Sequence, residues 1–105
     1  WCGPCIDEIP ALARLYRNQH NDASSQISVI GIDVLDPHSR ATAFVHRSGV
    51  TFPVAIDLTG SVTEGLYAFI GPPAAVFINK NGTIVHIDRG AVTASELLGW
   101  EKRLR

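Results

Sequence analysis

The two cysteines constrain this chain most, standing in Trp1-Cys2-Gly3-Pro4-Cys5 as its only thiols. From Pro4 to about Asn21 the apolar residues Ile6, Ile9, Leu12, Ala13, Leu15 and Tyr16 recur at helical spacing. That pattern puts Cys2 at a helix N-terminus and Cys5 one turn inside. Thiols three residues apart share a helix face and are near enough to close into a disulfide and reopen. Unpaired backbone N–H groups and the helix dipole favour a thiolate at Cys2. Pro4 suits a first turn, where Asp7 and Glu8 are also placed as complements to the dipole. Pro10 lacks the N–H that would bond the Ile6 carbonyl, which predicts a kink. Half of a zinc site would need a second ligand pair at short spacing, and His20, His38, His46 and His86 are scattered without one. An inert structural disulfide rarely uses so tight a spacing. The pair reads as a redox dithiol, with no metal and no cofactor expected.

The rest of the chain alternates helical and extended patterns. Ile27 to Val34 is β-branched and apolar, as in a strand covered on both faces. Asp36 is expected as N-cap, with Pro37 at the first position of a helix that Gly49 ends after Ser48, and with Ala41, Phe44 and Val45 inward. Phe52 to Ile56 is a short extended piece interrupted by Pro53. Ser61 to about Phe69 is a helix with Val62, Leu66 and Phe69 on one side. After the rigid Gly71-Pro72-Pro73 come a strand, Ala75 to Ile78, a two-residue hairpin signal, Asn81-Gly82, and a returning strand, Thr83 to Ile87. Thr93-Ala94-Ser95-Glu96 fits a capping box opening a last helix that carries Leu97, Leu98 and Leu104, with Trp100 on its buried side. This order predicts an α/β fold with a mixed sheet. At 105 residues, the expectation is one domain, 1–105. A net charge of −1 gives no case for nucleic acid. No run approaches the roughly 20 apolar residues of a membrane span.

Three blocks resemble the thioredoxin superfamily, and within it the TlpA/ResA-like branch of extracytoplasmic, often membrane-tethered thiol–disulfide oxidoreductases. Trp1-Cys2-Gly3-Pro4-Cys5, continuing through Glu8 to Pro10, is similar to that branch's Cys-x-x-Cys-x-x-Glu-x-Pro. Thr51-Phe52-Pro53-Val54-Ala55-Ile56-Asp57 is similar to its Phe-Pro-Val-x-x-Asp segment. Pro73-Ala74-Ala75-Val76-Phe77-Ile78-Asn79-Lys80-Asn81-Gly82 is similar to its Pro-Thr-Thr-Phe-Leu-Ile-Asp-x-x-Gly. The resemblance implies a thioredoxin-like mixed sheet flanked by helices. It implies that Cys2 is the attacking thiol and Cys5 the more buried, resolving thiol. Glu8, which by spacing alone is equally a surface acid, becomes the carboxylate beside the dithiol that helps remove the Cys5 proton. Trp1, Gly3 and Pro4 would flank the substrate. Pro73 would be the cis-proline facing the dithiol, and Pro72 the residue that pairs by main chain with a substrate peptide. Here the chain departs from the pattern, because Pro72 offers a carbonyl but no N–H. Ala74 and Ala75 in place of threonines make that wall more apolar.

The function so implied is reduction of disulfides in exported proteins, cytochrome c maturation among the tasks. The partners would be a protein disulfide substrate and an upstream thiol donor, with no nucleic acid. The location would be periplasmic or on the outer membrane face, through secretion or an anchor absent from this chain. The Gly-Pro dipeptide resembles that of thioredoxin, whose potential near −270 mV leans toward a reductant. The alternatives are a peroxide-reducing relative of the same fold and a redox-inert fragment that binds a partner. In the thioredoxin fold a central strand runs into the Trp-Cys motif, and both Ile27–Val34 and Ala75–Ile78 would pair with it. The chain is therefore expected to lack the N-terminal part of the fold, as a piece of a longer protein, or else to have that place filled by another chain.

Overall fold

Helix α1 (Gly3–Asn21) follows from the apolar spacing and opens the computed structural model, which describes residues 2–21, 27–67 and 71–104. Trp1 and Phe69 lie outside the described residues. The further elements are β1 (Gly31–Val34), α2 (His38–Ser48), β2 (Val54–Asp57), α3 (Ser61–Tyr67), β3 (Ala74–Ile78), β4 (Ile84–Arg89) and α4 (Ala94–Leu104). The class is α/β with mixed pairing, as expected: β1 and β2 are parallel, β3 and β4 antiparallel. The strands form two two-stranded sheets within two compact units. One unit comprises residues 1–28 and 71–105, the other 29–70.

In the first unit, α1 buries Ile9, Ala13 and Leu15, while Ile6 at its start is exposed. Pro10 stands within the helix. Because the helix begins at Gly3, its first turn holds no acid, and Asp7 and Glu8 sit a turn later than expected. Helix α1 packs on α4, which also contacts β3. The capping signal at α4 is met: Thr93 Oγ1 accepts the Glu96 N–H at 3.1 Å and donates to Glu96 Oε1 at 3.2 Å. Leu97 is buried there, Leu104 is half-buried, and Leu98 is exposed. Trp100 stacks on Phe77 at 4.9 Å and on His86 at 4.7 Å between ring centroids, with the Arg103 guanidinium 4.8 Å from its own ring centre.

The hairpin turns differently from its dipeptide signal. Ile78 pairs with Ile84, so five residues connect the strands rather than two. Asn79 organises them: its Oδ1 accepts the N–H groups of Asn81 and Thr83 at 3.0 Å each, and its carbonyl accepts that of Gly82 at 3.0 Å. Gly82 supplies the positive φ, 82°, that ends such a turn.

In the second unit, β1 is shorter than the apolar run that contains it and starts at Gly31. Its first bond runs from the Gly31 N–H to the Pro53 carbonyl, at 2.8 Å. Pro53 has no N–H with which to extend the parallel ladder toward Val29, so pairing stops there. Nor is the run covered on both faces, for Ile30 is 68% exposed and Ile32 and Ile56 are exposed as well. Helix α2 starts at His38 with Pro37 as N-cap, one residue later than expected, and has no side-chain cap. Asp36 is buried and engaged with Asp33 instead. Burial first, then the hydrogen bond and charge of Asp36, push the Asp33 carboxyl up to about 6. Gly49 ends α2 at φ 71°, and Ala41 is its buried inward residue, as the pattern predicted.

The inward face of α3 is not the one expected. Leu66 is 73% exposed and Val62 47%, while Thr63 is buried. The buried Asp57 carboxylate fixes that rotation, accepting the Thr63 N–H at 2.8 Å and its hydroxyl at 2.9 Å. These bonds, the Thr63 N–H foremost, hold the Asp57 carboxyl below its ordinary value of 3.8. A depressed folded value contributes stability above the unfolded one and loses it as pH falls. Asp57→Asn is expected to destabilise the chain at neutral pH and to flatten its loss of stability below pH 3.8, read by urea titration across the acid range.

Candidate active site

Cys2 stands immediately before α1 and is joined to Cys5 in a disulfide, with Cα atoms 5.3 Å apart. One helical turn brings two side chains to this separation, so the bridge needs no contribution from elsewhere in the chain. The Cys5 N–H donates to Cys2 Sγ at 3.2 Å, and the Ile6 N–H to the Cys2 carbonyl at 3.4 Å. Cys2 is thus the residue that satisfies the open start of the helix, and its sulfur lies where negative charge is favoured. Once the bridge is reduced, the same N–H can stabilise a Cys2 thiolate. Gly3 and Pro4 between the sulfurs are exposed. Both cysteines are half-buried, so the expected deeper burial of Cys5 is not a feature of this oxidised state.

Glu8 follows Cys5 by three residues, on the same helix face. It is half-buried, and its Oε2 accepts the Val92 N–H at 3.1 Å. Burial pushes its carboxyl above the ordinary 4.5, the Val92 N–H offsets part of that, and the nearby Asp88 charge adds to the rise. Beside it lies an open groove of about 440 Å³, lined by α1 residues including Asp7, Pro10 and Arg14 and by the segment Ala91 to Ala94. The Pro72–Pro73 peptide bond is cis. Pro72 is exposed, and the Pro73 carbonyl accepts the Gly90 N–H at 3.0 Å, fixing the start of β3 to the end of β4. Cys2, Cys5, Glu8, Pro72 and Pro73 all belong to the first unit. Val92 and Asp88 were not legible as neighbours of Glu8, since a backbone N–H carries no sequence signature and the two segments lie far apart in the chain.

Residues 1–87 match the AhpC/TSA family. The chain belongs to the AhpC/TSA family. It is 32% identical to the thiol-disulfide oxidoreductase ResA of Bacillus anthracis, over 99% of this chain and 58% of that protein. It is 35% identical to ResA of Oceanobacillus iheyensis, over 95% of this chain and 50% of that protein. The chain therefore spans about half the length of the curated relatives it matches. Among solved structures it is similar to StoA from Bacillus subtilis, with a TM-score of 0.77 and 25% identity, covering 95% of this chain and 74% of that one. It is also similar to a thiol:disulfide interchange protein DsbE from Chlorobium tepidum, with a TM-score of 0.80 and 25% identity, covering 98% and 71%. These likenesses make the α/β fold of this AhpC/TSA domain thioredoxin-like, as the sequence blocks implied. Among the described residues, no helix is long and apolar enough to cross a membrane.

Proposed function

We propose that the protein is a thiol–disulfide oxidoreductase that reduces disulfides of exported proteins outside the cytoplasm, cytochrome c maturation being one such task. The observation that carries this reading is the Cys2–Cys5 bridge at the start of α1, with a backbone N–H on the Cys2 sulfur. In the reduced protein the Cys2 thiolate attacks one sulfur of a substrate disulfide, and the other sulfur leaves as a thiolate that takes up a proton. Cys5 then gives its proton to Glu8 and attacks Cys2 Sγ. The second substrate thiolate leaves, the bridge seen here forms, and two electrons have passed to the substrate. A thiol donor must return two electrons to reopen the bridge. Trp1, Gly3, Pro4, Pro72 and Pro73 would shape the surface on which the substrate lies. The relatives' identity as thiol-disulfide oxidoreductases supports the reaction type, and the resemblance to the branch supports the location and substrate class.

The deciding measurement is the reduction potential of the whole protein, together with its rate of insulin disulfide reduction. A potential near that of thioredoxin, with turnover in the presence of dithiothreitol, is expected. Stoichiometric peroxide consumption faster than disulfide exchange would replace this reading by peroxide reduction. A Cys2 that alkylates no faster than a free cysteine peptide would leave a redox-inert binding domain.

Glu8→Gln is expected to slow resolution of the mixed disulfide by roughly 100-fold and to remove the acidic limb of the pH–rate profile, read by stopped flow. The stability effect has the opposite sign to that of Asp57. A carboxyl raised in the folded state costs stability as pH climbs upward from 4.5, so the Gln variant should lose that slope.

A further inference from the structure

We propose that the groove beside Glu8 is a subsite for the substrate polypeptide, taking an extended segment next to the target disulfide whose side chains run basic, apolar, acidic away from it. The inference rests on the proposed exchange reaction and names the class of sequence that the reaction favours. Asp7, Pro10, Ala11 and Arg14 stand at i, i+3, i+4 and i+7, so a single stripe of α1 forms one wall of the groove. The middle of that stripe is apolar and its ends are opposite in charge. Asp7 and Glu8 mark the end near Cys5, and Arg14 lies two turns away. Asp7, Pro10 and Arg14 are exposed. The facing wall is the segment Ala91 to Ala94, whose exposed Ala91 and Ala94 are too small to fill the space between. At about 440 Å³ the groove falls within the roughly 300–1,000 Å³ of ligand sites.

Two hydrogen bonds make the groove continuous with the site. The Val92 N–H donates to Glu8 Oε2 at 3.1 Å, and Glu8 lies one turn after Cys5. The Gly90 N–H donates to the Pro73 carbonyl at 3.0 Å, which joins the same wall to the cis Pro72–Pro73 bond. Neither proline has an N–H, so a substrate strand laid on them pairs one-sidedly and more of the hold falls to side chains. The groove is the adjoining surface able to supply it. Its charges set the order of the segment. Asp7 and Arg14 are separated by roughly 10 Å along the helix. On an extended chain residues i, i+2 and i+4 share a face and span roughly 13 Å. Long lysine and glutamate side chains reaching inward close that difference. A basic residue then meets Asp7 and Glu8, an apolar one lies over Pro10 and Ala11, and an acidic one meets Arg14.

The test uses the whole reduced protein at low ionic strength, with the rates of two disulfides read by stopped flow. One is the symmetric disulfide of the peptide Glu-Ser-Val-Ser-Lys-Cys-Lys-Ser-Val-Ser-Glu, which offers the order in either chain direction. The other is hydroxyethyl disulfide, which has no polypeptide to lay in a groove. The readout is the ratio of the peptide rate constant to the hydroxyethyl one. Arg14→Glu should lower that ratio roughly fivefold, and Ala94→Trp, which fills the groove, roughly tenfold. A peptide with its lysines and glutamates exchanged should be the poorer substrate of the parent, and an Asp7→Lys, Arg14→Glu double variant should lose that preference. A ratio unmoved by either single variant, or a double variant that keeps the parent's preference, overturns the proposal. Where the parent still reduces hydroxyethyl disulfide, such a failure leaves the exchange reading standing. A parent that reduces neither disulfide overturns that reading and the subsite with it.

Discussion

Cys2→Ser is expected to abolish disulfide reduction, by roughly a thousandfold or more, whereas Cys5→Ser should stall the protein covalently bound to its substrate. The two losses differ because the two sulfurs stand differently toward the helix. Cys2 Sγ already accepts the Cys5 N–H at the open start of α1, so it is the sulfur able to carry charge before any substrate arrives. Serine there has a far more basic oxygen and cannot form the mixed disulfide. Serine at Cys5 leaves the first attack intact and removes the second. Non-reducing electrophoresis after incubation with an oxidised protein substrate reads the difference directly. An adduct that accumulates with Cys2→Ser rather than Cys5→Ser would exchange the two roles.

Gly31→Ala is expected to destabilise the second unit by about 1–3 kcal/mol, with Gly31→Val costing more. A Cβ at Gly31 would lie 2.9 Å from Phe52 Cε2 and 3.3 Å from Val54 Cγ2. Phe52 is buried, and its rigid ring cannot swing aside as the end of a flexible chain would. Removing a glycine from the unfolded chain contributes roughly 0.4–1 kcal/mol in the other direction. The overlap exceeds that gain, so the net sign is destabilising. The urea midpoint measures it, and Phe52→Leu in the same chain should recover part of the loss because the two sites touch. A midpoint raised by Gly31→Ala alone would mean that the ring yields freely.

Gly31 also marks where sequence reasoning reached its limit. The helices were legible because their signals are local. The spacing in α1, the glycine after α2 and the Thr93–Glu96 capping pair each act within a few residues. The strands were legible as runs but not as ladders. Pro53 shortens β1 from the neighbouring strand, and nothing within 27–34 announces that. The face of α3 was misread for a related reason. Its apolar stripe suggested Val62 and Leu66 inward, but two bonds from Thr63 to Asp57 outweigh a weak seven-residue pattern. At the site, the dithiol could be found from spacing, and Glu8 on the same helix face from the family resemblance. Val92 and Asp88 reach Glu8 through the tertiary fold and could not.

The Glu8–Val92 bond ties together residues 84 positions apart. A single oxygen on the helix that bears the two sulfurs is thereby also a fastening for the loop that leads into α4. A carboxylate that gains a proton accepts a hydrogen bond less well, so under the proposed exchange a proton taken from Cys5 would loosen that fastening and its release would restore it. The loop from Gly90 to Thr93 would then register the progress of every turnover as a change in local tension, linking the chemistry of the bridge to the hold on the last helix.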